Sequence, residues 1–145
     1  MSSALYCKNC DAQLTRRLDV IPLSPEGVSR CNFVEPGENR VAEVAPVPKG
    51  GKLCVDAEFC TEFPASWQPN SIDAEDTVWI NPSDLTSVLH WISEVSYHVG
   101  RDGVDGNNGP NKLCKCGALV GTEYADSYQW HVFVPIARHT YWKEQ

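Results

Sequence analysis

The sequence predicts a single α+β domain over residues 1–145, dominated by strands, with one amphipathic helix near residues 82–95 and a four-cysteine zinc site joining its N-terminal and C-terminal parts. Three observations lead there. Short apolar runs alternate with Pro and Gly through most of the chain, as in strand-rich folds. A single stretch after Asn81 carries apolar residues at helical spacing. Two close cysteine pairs, Cys7 with Cys10 and Cys114 with Cys116, stand near opposite ends of the sequence.

The elements follow in order. LYCKNCDAQLTRRLDVIPL (residues 5–23) reads as a cysteine knuckle and turn leading into a short strand through Leu18, Val20 and Ile21. Between residues 24 and 52, prolines and glycines break the chain into two irregular or edge strands, Val28 to Val34 and Val41 to Val47. Leu53 to Phe63 is a further strand candidate, and Pro64 to Asp76 reads as loop. Thr77 to Ile80 is strand-like. Asn81 then suits a helix cap, Pro82 the first helical position and Asp84 the first turn. Leu85, Val88, Leu89, Ile92 and Val95 continue at helical spacing. The glycine- and asparagine-rich stretch GRDGVDGNNGPN reads as loop, and KLCKCGALVGTEY and QWHVFVPI read as strands.

Composition narrows the function. Of 145 residues, 42% are hydrophobic and 21% charged, which suits a folded chain with a core. The net charge of −7 disfavours binding to a nucleic-acid backbone, which requires clustered Lys and Arg. No apolar run approaches the roughly 20 residues of a membrane helix. Met1 to Cys10 carries neither a basic segment nor a long apolar stretch, so a secretory signal is not expected and a cytoplasmic location is.

Seven unevenly spaced cysteines in such a chain point to thiols or metal ligands rather than a disulfide framework. C-K-N-C places two sulfurs on one side of a turn. In C-K-C-G, residues two apart in an extended chain face the same way, so Cys114 and Cys116 can converge as well. Zinc takes four such ligands at about 2.3 Å in a tetrahedron. Gly117 and Asp11 follow the two pairs, and both residue types accept the left-handed backbone of a knuckle. The expectation is one structural zinc per chain on Cys7, Cys10, Cys114 and Cys116. An iron–sulfur site is the rival, although its common runs set ligands closer together. Cys31, Cys54 and Cys60 are expected in the core, with a second site as the alternative.

The knuckles carry a resemblance. C-x-x-C followed by x4-T-R-R, and later C-x-C-G-x-x-V-G-T-E-Y-x-D, resemble the two zinc knuckles of β-tent proteins, the group of Yippee-type and cereblon-type domains and the methionine sulfoxide reductases. The second stretch is also similar to small bacterial zinc proteins of uncharacterised activity. The resemblance implies a zinc held by the two knuckles and, in the cereblon manner, a ligand pocket with an aromatic cage. Thr122 stands where the last cage tryptophan would fall, and Trp79 and Trp91 do not reproduce the tryptophan run. Sulfoxide reduction requires a reactive cysteine in a late strand, and no cysteine follows Cys116.

No nucleophile elbow, metalloprotease, phosphate-loop or dinucleotide motif occurs. Glu123, Asp126 and His131 lie near the second knuckle without a nucleophile beside them. The expected role is therefore non-enzymatic: a zinc-stabilised, bacterial binding module whose partner is another protein, such as an immunity or inhibitor protein masking a basic site. The alternative is a small-ligand binder of the β-tent kind. Candidate contact residues are the acidic Asp73, Glu75, Asp76, Asp102 and Asp105, with Trp130 from the late aromatic cluster.

Overall fold

The computed structural model describes residues 2–22, 45–55, 77–93, 110–125 and 131–144. Within them lie nine strands: β1 (Ser2–Cys7), β2 (Leu18–Ile21), β3 (Gly51–Val55), β4 (Thr77–Ile80), β5 (His90–Trp91), β6 (Lys112–Leu113), β7 (Leu119–Tyr124), β8 (Val132–Pro135) and β9 (Thr140–Glu144). They form one mixed sheet in the order β5-β6-β7-β8-β4-β3-β2-β1-β9. β2 and β3 run parallel, and the other neighbours are antiparallel.

The order explains why the two ends of the chain can meet. β1 and β6 are separated by six steps through the sheet, by way of β7, β8, β4, β3 and β2. In a flat sheet, at about 4.8 Å per step, that is about 29 Å. Yet the sulfurs of Cys7, which ends β1, and Cys116, just past β6, are 3.7 Å apart. The sheet therefore curls until its halves face each other, as twisted sheets of this size do. Between them lies one core, with Leu5, Cys7, Leu14 and Leu18 from one half and Cys114, Val120 and Phe133 from the other. Ile80 from the middle of the sheet and Leu89 complete the contact. Burial of each large side chain here contributes roughly 1.5–3 kcal/mol.

The expected helix over 82–95 is not present in its described part, so the α+β assignment is corrected to a β architecture. Among the described residues the helical segments are two single 3₁₀ turns, Pro82–Asp84 and Ala137–His139. The cap itself forms, with the Asn81 side chain accepting the Ser83 N–H at 2.9 Å. What stops propagation is competition for the backbone. The Asp84 carbonyl accepts from the Arg16 N–H, the Thr86 N–H donates to the Leu14 carbonyl, and the Ile92 N–H donates to Asn111. Leu85 is already extended, at φ −72° and ψ 144°, and bridges to Thr15. Leu85, Val88 and Leu89 still reach the core, but from an isolated bridge, a turn and the residue before β5. Their spacing imitated a helix, while the β-branched Thr86, Val88 and Ile92 favoured the extended outcome.

The cysteine knuckle at the start is preceded by a full strand, β1, that the sequence reading passed over. Val28 to Val34, most of Val41 to Val47 and the loop Pro64 to Asp76 lie outside the described residues. Among the described residues no helix is long and apolar enough to cross a membrane.

Candidate metal centre

Each cysteine pair sits on a hydrogen-bonded turn. In the first, the Asp11 N–H donates to the Cys7 carbonyl at 2.8 Å and the Cys7 N–H to Ala12 at 3.0 Å. Asp11 closes the turn at φ 60°, a conformation Asp tolerates better than most residues. Tyr141 on β9 supports it, donating its hydroxyl to Asp11 Oδ1 at 2.8 Å and stacking its ring on Tyr6. In the second turn, the Gly117 N–H donates to the Cys114 carbonyl at 2.8 Å and the Cys114 N–H to Ala118 at 2.9 Å. Gly117 adopts φ 90°, where a Cβ would strain the backbone.

The approach to the second turn is fixed by Asn111, which is fully buried. Its side chain accepts from the Glu123 N–H at 2.8 Å and donates to the Glu123 carbonyl at 3.0 Å, stapling the start of β6 to β7. Lys112 beside it pairs with the Glu123 carboxylate at 3.3 Å and lies over the Trp91 ring.

The four sulfurs of Cys7, Cys10, Cys114 and Cys116 lie within 4.8 Å of one another. Two contacts run between the knuckles, Cys7 to Cys116 at 3.7 Å and Cys10 to Cys114 at 3.5 Å. A disulfide brings its sulfurs to about 2.05 Å, so these are thiols. The edges of a tetrahedron with metal–sulfur bonds of about 2.3 Å are about 3.8 Å long. The sulfurs are thus spaced to hold a single metal ion. Cys7 and Cys114 are buried and Cys10 and Cys116 exposed.

The environments of the four differ. Burial pushes the Cys7 thiol up, and pushes Cys114 up to about 12. Cys116 is pulled down to about 6, first by the Asn9 side-chain amide, which donates to its sulfur at 3.2 Å, and then by the Ala118 backbone N–H. Asn9 is the residue the sequence reading missed here. It stands inside C-K-N-C yet serves the other knuckle, so it ties the two turns together independently of any ion. A polar amide between two knuckle cysteines was the available signal.

The remaining predicted residues fare differently. Cys54, expected in the core, is exposed on β3, because the strand turns Leu53 and Val55 inward instead. Cys31, Cys60, Asp73, Glu75, Asp76, Asp102, Asp105 and Trp130 lie outside the described residues, as do His98 and Asp126. His139 Nδ1 meets the Leu119 carbonyl at 2.7 Å. Glu123 and His131 line a small cleft with Pro82, Ser83, Tyr124 and Ala125. The described tryptophans form no cage beside the cysteines: Trp79 is in the core, while Trp91 and Trp142 cover Lys112 and Lys52.

No protein-family model matches the chain, and neither a curated protein nor a solved structure matches it. The cysteine cluster is consistent with a zinc knuckle, and these comparisons add nothing to the β-tent resemblance.

Proposed function

We propose that this chain is a zinc-stabilised, non-enzymatic binding module, a single domain working in the cytoplasm with another protein as its partner. The observation that carries the metal reading is the cluster of four sulfurs within 4.8 Å of one another, with inter-knuckle contacts of 3.5 and 3.7 Å. Four clustered thiolates suit zinc or iron–sulfur chemistry. Sulfurs all within 4.8 Å of one another leave room for one ion, whereas a multi-iron cluster separates its ligands onto different irons. Four thiolates would leave zinc no open position for water, which favours a structural over a catalytic role. Five free thiols among the described cysteines suit a reducing compartment.

The binding role rests on the net charge of −7 and on that closed coordination sphere. An acidic protein of this size can mask a basic site on its partner, in the manner of an immunity or inhibitor protein. Asp73, Glu75, Asp76, Asp102, Asp105 and Trp130 are its candidate contacts.

Metal analysis of protein purified without added metal is expected to give about one zinc per chain. Iron, or no metal, overturns the zinc reading. For the binding role, co-purification from the native host with mass spectrometry identifies the partner, whose association rate is expected to fall steeply with salt while dissociation changes less. Neutralising Asp73, Glu75 and Asp76 is expected to slow association likewise. Turnover of a substrate by the zinc-loaded chain overturns the non-enzymatic reading.

A further inference from the structure

We propose that the four-cysteine centre is a site of peroxide modification, at which hydrogen peroxide expels the zinc and joins the knuckles through Cys7–Cys116 and Cys10–Cys114 disulfides. The proposal rests on the zinc reading above and adds an oxidant and a product to it.

It starts from an asymmetry in burial. Each knuckle offers one buried and one exposed sulfur: Cys7 and Cys10 in the first, Cys114 and Cys116 in the second. All four sulfurs lie within 4.8 Å of one another, and two contacts between the knuckles each set an exposed cysteine against a buried one, at 3.7 Å for Cys116 on Cys7 and 3.5 Å for Cys10 on Cys114. A small oxidant arriving from solvent meets Cys10 or Cys116 first. In each case a buried cysteine of the other knuckle is already in contact behind it. That arrangement, an accessible thiolate with a resolving thiol at its back, is the one that favours disulfide over further oxidation.

The Cys116 thiolate attacks one oxygen of hydrogen peroxide, the O–O bond breaks, and the departing hydroxide takes a proton to become water. The sulfur is now a sulfenic acid. The Cys7 thiolate attacks that sulfur, the S–O bond breaks, and a second hydroxide leaves as water after taking a proton. Two zinc–thiolate bonds are lost, because a disulfide sulfur carries no charge to offer the ion. A second peroxide converts Cys10 and Cys114 in the same way. In total two peroxides and four protons give two disulfides, four waters and one free zinc ion. The sulfurs are oxidised and the peroxide oxygens reduced.

The consequence for the fold lies in which sulfurs pair. Disulfides within the knuckles, Cys7–Cys10 and Cys114–Cys116, would leave the turn after β1 and the turn before β7 without a covalent or metal link once the ion had gone, joined by the Asn9 amide on Cys116. Disulfides between knuckles keep them tied. The centre would then have two closed states, one bridged by zinc and one by sulfur, with the curled sheet held in both.

The test uses the zinc-loaded full chain, as it stands and as Cys54→Ser to remove the exposed thiol on β3. Zinc release is followed with a chromogenic chelator during peroxide titration, then tryptic peptides are mapped without reduction. Lys8 lies between Cys7 and Cys10 and Lys115 between Cys114 and Cys116, so trypsin puts the four cysteines on separate peptides. The expected result is complete zinc release with about two equivalents of peroxide, cross-links joining Cys7 to Cys116 and Cys10 to Cys114, and an unchanged far-ultraviolet spectrum. Reductant with zinc is expected to restore the starting protein. Zinc present but released with within-knuckle pairs, with sulfinic acids or with loss of the fold overturns this proposal alone. A chain that is isolated without zinc overturns the metal reading and this proposal with it.

Discussion

Arg16 and Asp84 are joined at 2.7 Å between Nε and Oδ1, with the carboxylate fully buried and the Arg16 side chain 56% exposed. The other carboxylate oxygen accepts the Gly50 N–H at 2.8 Å, while the Asp84 backbone carbonyl accepts the Arg16 N–H. One residue thus connects the turn after β4 to the chain between β1 and β2 and to the turn before β3. Sequence alone places Asp84 in the first turn of a helix, where it would face a helix dipole; its partners are instead distant segments.

Asp84→Ala is therefore expected to destabilise the fold by about 2–3 kcal/mol, mainly by leaving the Gly50 N–H without its acceptor. The contribution of Arg16 is smaller, because an exposed guanidinium is well screened. Asp84→Asn keeps an acceptor for Gly50 and is expected to cost about half as much or less. Urea unfolding of the two variants checks the order. Equal losses would place the stabilisation in the ion pair.

The parts of this molecule legible in the sequence are those decided within a few residues. Cys7 with Cys10 and Cys114 with Cys116 could be read from spacing, as could the knuckle conformations of Asp11 and Gly117, because a turn is a local object. Strands β4, β7 and β8 were readable from their β-branched and aromatic runs. What failed was decided at long range. Nothing near Thr86 or Ile92 announces that their N–H groups will be claimed by Leu14 and Asn111, so the helical spacing of Leu85, Val88 and Leu89 misled. Likewise Cys54 looks apolar in sequence, but its face is set by the pairing of Leu53 with Trp79 on β4. That Cys116 would meet Cys7 at all follows from the curl of the sheet and has no local signature.

Gly117 and Gly121 are expected to resist substitution for different reasons. A Cβ at Gly117 meets open space, so only its φ of 90° opposes it. Gly117→Ala should cost about 1 kcal/mol, and Gly117→Asn less, since Asn tolerates positive φ. At Gly121 a Cβ would run into the Phe133 ring and come 2.7 Å from the Val134 carbonyl oxygen. Gly121→Ala should cost about 1–3 kcal/mol by overpacking, and Gly121→Asn more. Thermal melts of the four variants separate the two mechanisms by the opposite ranking of Ala and Asn.

Lys52 should give stability a pH dependence at the alkaline end. Its ammonium donates to Ser3 Oγ at 2.8 Å and lies 3.4 Å from the centre of the Trp142 ring. Burial holds its pKa below the ordinary 10.5. Between the depressed folded value and 10.5 the unfolded chain binds more protons than the folded one, so this group makes stability rise with pH through that window. Below the folded value its penalty is constant. Lys52→Met is expected to abolish the rise, read as the difference between wild-type and variant denaturant midpoints across the alkaline range. A difference independent of pH there would show that Lys52 titrates alike in both states.

Removal of single sulfurs tests the clamp against the rest of the cysteine inventory. If one zinc closes the curled sheet, Cys10→Ser and Cys116→Ser should each lower stability by several kcal/mol or abolish folding, because metal-binding energy is then folding energy. Exposure of the two side chains does not protect them, since each would supply a quarter of the coordination sphere. Cys54 is exposed as well and lies outside the sulfur cluster, so Cys54→Ala should stay within about 0.5 kcal/mol of wild type. Chelator treatment should bring wild type down toward the Cys10→Ser level and leave Cys10→Ser itself nearly unchanged, because the variant has less bound metal to lose. Three equal losses at Cys10, Cys54 and Cys116, or a chelator effect of the same size in the ligand variants, would mean that the ion does not act through these sulfurs.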